Sequence, residues 1–131
     1  MALRIVLVDD DEKLGELLRT SFELDDRFEL VGWGRNGLEG IERVREAQPD
    51  AVLMDLHMPV LGGVAAIKQI LEEDPDACVI AFTASADRAE HAAAVHAGAA
   101  AVLAKPFDPV ALLDAVETHA RRCTQDRADA A

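Results

Sequence analysis

The sequence predicts an α/β domain in which five parallel strands carry helices on both faces. Three observations predict it. Five short apolar runs alternate with five amphipathic stretches along the 131 residues. Four of the runs (residues 3–8, 51–54, 77–82 and 101–104) show little polar alternation, as strands covered on both faces do. Parallel strands need crossover connections, and right-handed crossovers put the intervening helices on both sides of the sheet.

In chain order, the first run ends in Asp9, Asp10 and Asp11, and the next stretch shows Leu14, Leu17, Leu18 and Phe22 on one helical face. The run at 28–33 contains Glu29 and Gly32 and reads as an edge strand, with Trp33 packed at that edge. Asn36 is an N-cap for a second helix with Leu38, Ile41 and Val44 as its stripe. After Asp50 and the third run, Gly62 and Gly63 lead into a helix with Val64, Ile67, Ile70 and Leu71 inward. Asp74 with Pro75 punctuates the join to the fourth run. The fourth helix, about 86–97, is Ala-rich, with Val95 as its one large apolar anchor, Ser85 as N-cap and Gly98 as C′ residue. Asp108 followed by Pro109 opens a fifth helix that turns Leu112, Leu113, Val116 and Ala120 inward. Residues 1–120 therefore read as one domain, and 121–131, polar and aperiodic, as a flexible C-terminal tail or the start of a linker.

Composition narrows the function. Half of the chain is apolar, enough to offset the entropy of ordering one domain. The formal charge is −12, which repels phosphate backbones and argues against direct nucleic-acid binding. The apolar start is too short for a signal-peptide core. No apolar stretch approaches the ~20 residues that span a bilayer, so no membrane role is expected. Two cysteines are too few for a disulfide framework. Cys78 reads as a small core residue and Cys123 as an exposed free thiol, which fits a reducing compartment.

The chemistry collects at the strand ends. The first run is followed by Asp9 and Asp10, the third by Asp55, the fourth by Thr83 and the fifth by Lys105. All strand C-termini of a parallel sheet lie at one edge, where ligands bind. Three carboxylates gathered there repel one another unless a cation sits between them, and all-oxygen ligands suit a hard ion such as Mg²⁺ or Mn²⁺. A metal, an ammonium and a hydroxyl around a carboxylate form a site for a tetrahedral anion, with Asp55 best placed as nucleophile. Taken singly, Asp9, Asp10 and Asp11 could be an N-capping cluster, Thr83 a turn hydroxyl and Lys105 a surface charge. Convergence favours the site, although Asp11 alone can be a cap.

Val-Asp-Asp-Asp at 8–11, Met-Asp-Leu-His-Met-Pro at 54–59, Phe-Thr-Ala at 82–84 and Lys-Pro-Phe at 105–107 resemble the receiver domains of two-component response regulators. The resemblance runs from about Leu3 to His119. It implies the doubly wound (βα)5 flavodoxin-like fold with sheet order 2-1-3-4-5. It implies a phosphorylation-activated signalling switch rather than an enzyme that turns over a metabolite. Asp55 resembles the phosphoacceptor, while Asp10, Asp55 and the backbone carbonyl of His57 resemble the Mg²⁺ ligands. Asp9 would act through a metal-bound water. Thr83 would swing onto a phosphoryl oxygen, Lys105 would pair with the phosphoryl group, and the Lys105–Pro106 bond would be cis. The implied partner is a sensor histidine kinase or histidine phosphotransfer protein. Leu14 and Phe107 are docking candidates, with core packing equally open. Output would pass through the fourth helix, fifth strand and fifth helix, with a phosphorylation-dependent homodimer as one route. The short apolar start and the lack of a spanning stretch give the cytoplasm as the expected location. Stand-alone action and service as the receiver of a DNA-binding regulator both stay open.

Three positions depart from the family pattern. Val102 stands where many receivers carry an aromatic residue, so the usual ring movement cannot relay the signal. The thinly anchored fourth helix is expected to respond by a backbone shift or partial loosening. His57 and Ser85, two past the acceptor and two past the Thr, are neither carboxylates nor amides, which predicts a long-lived phosphoryl group. His57 itself reads as an exposed loop residue, and His91, His96 and His119 as residues of solvated helix faces. A phosphatase on a similar fold would need a second acid near Asp55 and a cap over the site, and the chain has neither signal. A pseudo-receiver would have lost site residues, and a flavin-binding protein would need a phosphate-cradling loop where the three acids stand.

Overall fold

The computed structural model describes residues 1–105 and 108–130. The chain runs β1 (Leu3–Val8), α1 (Glu12–Glu23), β2 (Phe28–Gly34), α2 (Gly37–Ala47), β3 (Ala51–Asp55), α3 (Gly63–Glu73), β4 (Val79–Thr83), α4 (Arg88–Ala97), β5 (Ala101–Ala104) and α5 (Pro109–Ala130). The strands form one parallel sheet in the order β2-β1-β3-β4-β5, as the resemblance implies. β2 is an edge strand, with a register shift in its pairing to β1.

Side-chain alternation along the strands divides the core in two. Leu3, Ile5 and Leu7 of β1, with Leu53, Ile80 and Phe82, meet Leu18 and Phe22 of α1 and Leu112, Leu113 and Val116 of α5. Val6 and Val8, with Val52, Met54 and Ala81, meet Ile41 of α2, Ile67 and Ile70 of α3 and Ala94 of α4. Each fully buried aliphatic side chain contributes about 1.5–3 kcal/mol, so the two layers clamp the sheet between the helices on its faces.

Several local readings change. Leu17 is 50% exposed and Leu38 is also exposed, because each lies at the margin of a stripe whose centre is Leu18 or Ile41. Val95 is 57% exposed and does not anchor α4; the buried residue there is Ala94. Asn36 caps α2 by accepting from the Glu39 N–H. Ser85 does not cap α4. Asp87 does, accepting from the Ala89 N–H, while the Ser85 hydroxyl accepts from Asp87. Gly98 ends α4 with φ at 114°, a conformation open to glycine.

The expected tail is helical. α5 continues to Ala130, its last turns held by an Arg127 guanidinium donating to the Asp50 carbonyl and by Thr124 bonding back to Ala120. That extension brings Cys123 to the start of β4, where it is bonded to Cys78 in a disulfide. The two sulfurs are thus paired rather than independent free thiols. The apolar stripe of the fifth helix stops at Ala120, about one turn short of Cys123, so periodicity alone does not bring the two cysteines together.

Candidate functional site

Strand register builds the site. Val8 pairs with Met54, so Asp9 emerges beside Asp55, the last residue of β3. Asp55 pairs with Phe82 and Thr83 with Ala104, so Thr83 and Lys105 follow on the next two strands. Gly63 lets α3 begin directly beneath β3, since a Cβ there would lie 2.3 Å from the Asp55 carbonyl oxygen. Asp11 turns out to be the N-cap of α1, accepting from the Leu14 N–H.

Asp9, Asp55 and Thr83 are buried, while Asp10 is exposed. Lys105 Nζ sits 3.2 Å from Asp9 Oδ2 and 3.5 Å from Asp55 Oδ2, against the face of the Phe82 ring. The other Asp9 oxygen accepts from the Asp11 N–H at 2.9 Å, and Asp55 Oδ1 accepts from the His57 N–H at 3.3 Å. Burial pushes the Asp55 carboxyl up to about 6, with the Asp9 charge adding to it and Lys105 and the His57 N–H opposing. One ammonium therefore faces two buried carboxylates, and the pocket keeps unbalanced negative charge.

That charge and the ligand set fit a hard divalent cation. Asp9, Asp10 and Asp55 each offer a carboxylate oxygen, and the three lie within 4.8 Å of one another. All five sequence-predicted side chains meet at this edge.

Three residues, Trp33, Glu90 and His91, make contacts that spacing along the chain does not predict. The Trp33 indole N–H donates to the Asp9 carbonyl oxygen at 3.1 Å, and the Arg35 guanidinium lies over the indole ring, 4.3 Å from its centroid. Trp33 thus packs at the sheet edge as expected and also holds the loop that carries the acids. Glu90, in the first turn of α4, lies 2.8 Å from His57 Nε2 and accepts from the Thr83 hydroxyl at 3.3 Å. His91 is half-buried rather than solvated, its Nε2 2.7 Å from the Ser85 carbonyl oxygen. An acid in the first turn reads as a helix-dipole partner, so Glu90 carried no sequence signal of its own. Leu14 is half-buried against the α1–α5 core. The Lys105–Pro106 bond and Phe107 lie outside the described residues.

A doubly wound sheet with an acidic pocket, a lysine and a hydroxyl at its carboxyl edge defines a receiver-type signalling domain. The chain belongs to the response regulator receiver domain family, whose match covers residues 5–117. It is 37% identical over 116 residues to the chemotaxis protein CheY of Halobacterium salinarum, covering 88% of this chain and 95% of that one. It is 36% identical over 117 residues to the transcriptional regulatory protein YhcZ of Bacillus subtilis, covering 89% of this chain and 55% of that one. The chain thus spans nearly all of one relative and about half of the other. A LuxR-family two-component response regulator from Aurantimonas sp. SI85-9A1 superposes with a TM-score of 0.86 at 32% identity, over 92% of this chain and 86% of that one. Among the described residues no helix is long and apolar enough to cross a membrane.

Proposed function

We propose that this receiver domain is switched by transfer of a phosphoryl group to Asp55 from a phosphohistidine of a sensor kinase or histidine phosphotransfer protein. The observation that carries the reading is Lys105 Nζ lying between the buried carboxylates of Asp9 and Asp55. In the transfer, a carboxylate oxygen of Asp55 forms a bond to phosphorus as the phosphorus–nitrogen bond breaks. The electron pair leaves with the imidazole, and an aspartyl-phosphate results. Lys105 moves from the carboxylates to an equatorial phosphoryl oxygen, and the Thr83 hydroxyl donates to another.

Asp10, Asp55 and the His57 backbone carbonyl would hold Mg²⁺, or Mn²⁺, with Asp9 acting through water. Bound there, the cation supplies charge neutralisation at the phosphoryl oxygens. The residues are those of self-directed chemistry, with no turnover of a separate substrate. His57 and Ser85 offer no carboxylate or amide for hydrolysis, which supports a long-lived phosphoryl group. Output through α4, β5 and α5, with or without homodimer formation, belongs to the same reading. So do a cytoplasmic location and the absence of direct nucleic-acid contact by this domain. Matches to both CheY and YhcZ leave stand-alone action and service in a longer regulator equally supported.

Incubation with acetyl phosphate and Mg²⁺, followed by intact-mass measurement, tests the proposal. Gain of one phosphoryl group in the wild type and none in Asp55→Ala is expected. Equal gain in both proteins would refute Asp55 as acceptor.

A further inference from the structure

The grip on α4 is weak where packing is concerned and strong where polar contacts are concerned. Ala94 is its one buried residue, and Val95 faces out. Yet a single carboxylate oxygen of Glu90 reaches both the end of β4, through the Thr83 hydroxyl, and the β3–α3 loop, through His57 Nε2. His91 fastens the same helical turn to the Ser85 carbonyl.

A hydroxyl has one proton to donate. Thr83 is fully buried, and its oxygen also accepts from the Ser85 N–H, so its proton points to Glu90. While that bond stands, Thr83 cannot donate to a phosphoryl oxygen on Asp55. The two bonds are mutually exclusive. A phosphoryl dianion arriving in the pocket also repels the Glu90 carboxylate. Val102 has neither a ring to move into space vacated by Thr83 nor a polar atom to follow it.

We propose that Glu90 is the positioning residue of the switch. At rest it holds the Thr83 hydroxyl away from Asp55 and latches α4 to the β3–α3 loop. Phosphorylation takes Thr83 from it and frees the first turn of α4. In this chain the signal then passes from Thr83 to α4 through a carboxylate rather than through an aromatic ring. The trigger rests on the reading of Asp55 as phosphoacceptor; the resting latch does not.

Amide exchange across residues 86–104 of the full chain tests it, in wild type, Glu90→Ala and Glu90→Gln. The initial rate of phosphorylation by acetyl phosphate with Mg²⁺ is followed by intact mass in the same samples. Without phosphoryl donor, Glu90→Ala should exchange several-fold faster than wild type across α4. Glu90→Gln should stay near wild type, because its amide oxygen still accepts from Thr83 and His57. Phosphorylation should bring wild-type α4 to the level of resting Glu90→Ala, and Glu90→Ala should phosphorylate several-fold faster. Equal resting exchange in all three proteins overturns the latch. Glu90→Gln matching Glu90→Ala also overturns it, since loss of charge at the helix N-terminus would then explain both. Wild-type exchange unmoved by a confirmed phosphoryl group overturns the release. A mass gain that persists in Asp55→Ala overturns the Asp55 reading and with it the trigger, while resting exchange alone still judges the latch.

Discussion

Asp55 is the residue at which fold stability and the proposed chemistry oppose each other. Its carboxyl is raised from an ordinary 3.8 to about 6, so the folded chain holds that proton more tightly than the unfolded chain. Below about pH 4 both states are protonated and the group costs nothing. As pH rises from about 4 to 6 the unfolded chain ionises first, and stability falls. Above about pH 6 the cost is complete, up to about 3 kcal/mol for a shift of about two units. In metal-free buffer Asp55→Asn should therefore be more stable than wild type at pH 7.5, and the two should converge near pH 4, as read by denaturant midpoints. A wild type more stable than the variant at pH 7.5 would contradict the burial argument. The site residues that touch each other were legible because each ends a strand, and strand ends of a parallel sheet share an edge. Glu90 and the Trp33 hydrogen bond were not, since both depend on where a side chain lands across elements rather than on spacing along one.

At the scale of elements, the β3–α3 connection carries a conformational cost. Val60 has φ of 69°, and a β-branched residue in the left-handed region is disfavoured by about 1–2 kcal/mol. The residue is 74% exposed, so little burial offsets that cost. Val60→Gly should raise thermal stability by about 1 kcal/mol, checked by thermal unfolding, whereas a loss of similar size would contradict the strain argument. This loop runs from Asp55 to α3 and carries His57, so its backbone is part of the site's support. Helix faces show the limits of periodicity. The centres of the stripes, Leu18, Ile41, Ile67 and Val116, are buried as the spacing predicts. Leu17, Leu38 and Val95 are not, because a stripe's margin is decided by what the neighbouring element covers. The α4 cap shifted from Ser85 to Asp87 for a related reason, since Ser, Asp and Asn all cap and a run containing two of them leaves the choice to the loop.

Across the whole molecule, the two core layers and the sheet order followed from the alternation of runs and from the family resemblance. The C-terminal segment did not. Its polarity suggested a tail, but residues beyond Arg121 need only one face of contact, and Cys123 and Arg127 supply it. The Cys78–Cys123 bond links positions 45 apart, joining the residue before β4 to the C-terminal half of α5. Closing a loop of that length is worth about 4 kcal/mol of unfolded-state entropy, with a usual range of 2–4. Reductant should therefore lower the midpoint of thermal unfolding by roughly 10 °C in a domain of this size, and should leave Cys123→Ser unaffected. A midpoint indifferent to reductant in the wild type would show that the bond contributes nothing. Such bonds persist in oxidising surroundings, so a reducing cytoplasm would favour the opened form.

The central claim is that the buried carboxylate between Lys105 and the β3–α3 loop becomes an acyl phosphate. Borohydride reduces an acyl phosphate to an alcohol, turning the acceptor aspartate into homoserine. The protein should be treated with acetyl phosphate and Mg²⁺, reduced with borohydride, and mapped by peptide mass spectrometry. Homoserine at position 55, absent without Mg²⁺, is the predicted result. Homoserine at Asp9, Asp10 or elsewhere, with Asp55 intact, would contradict the account.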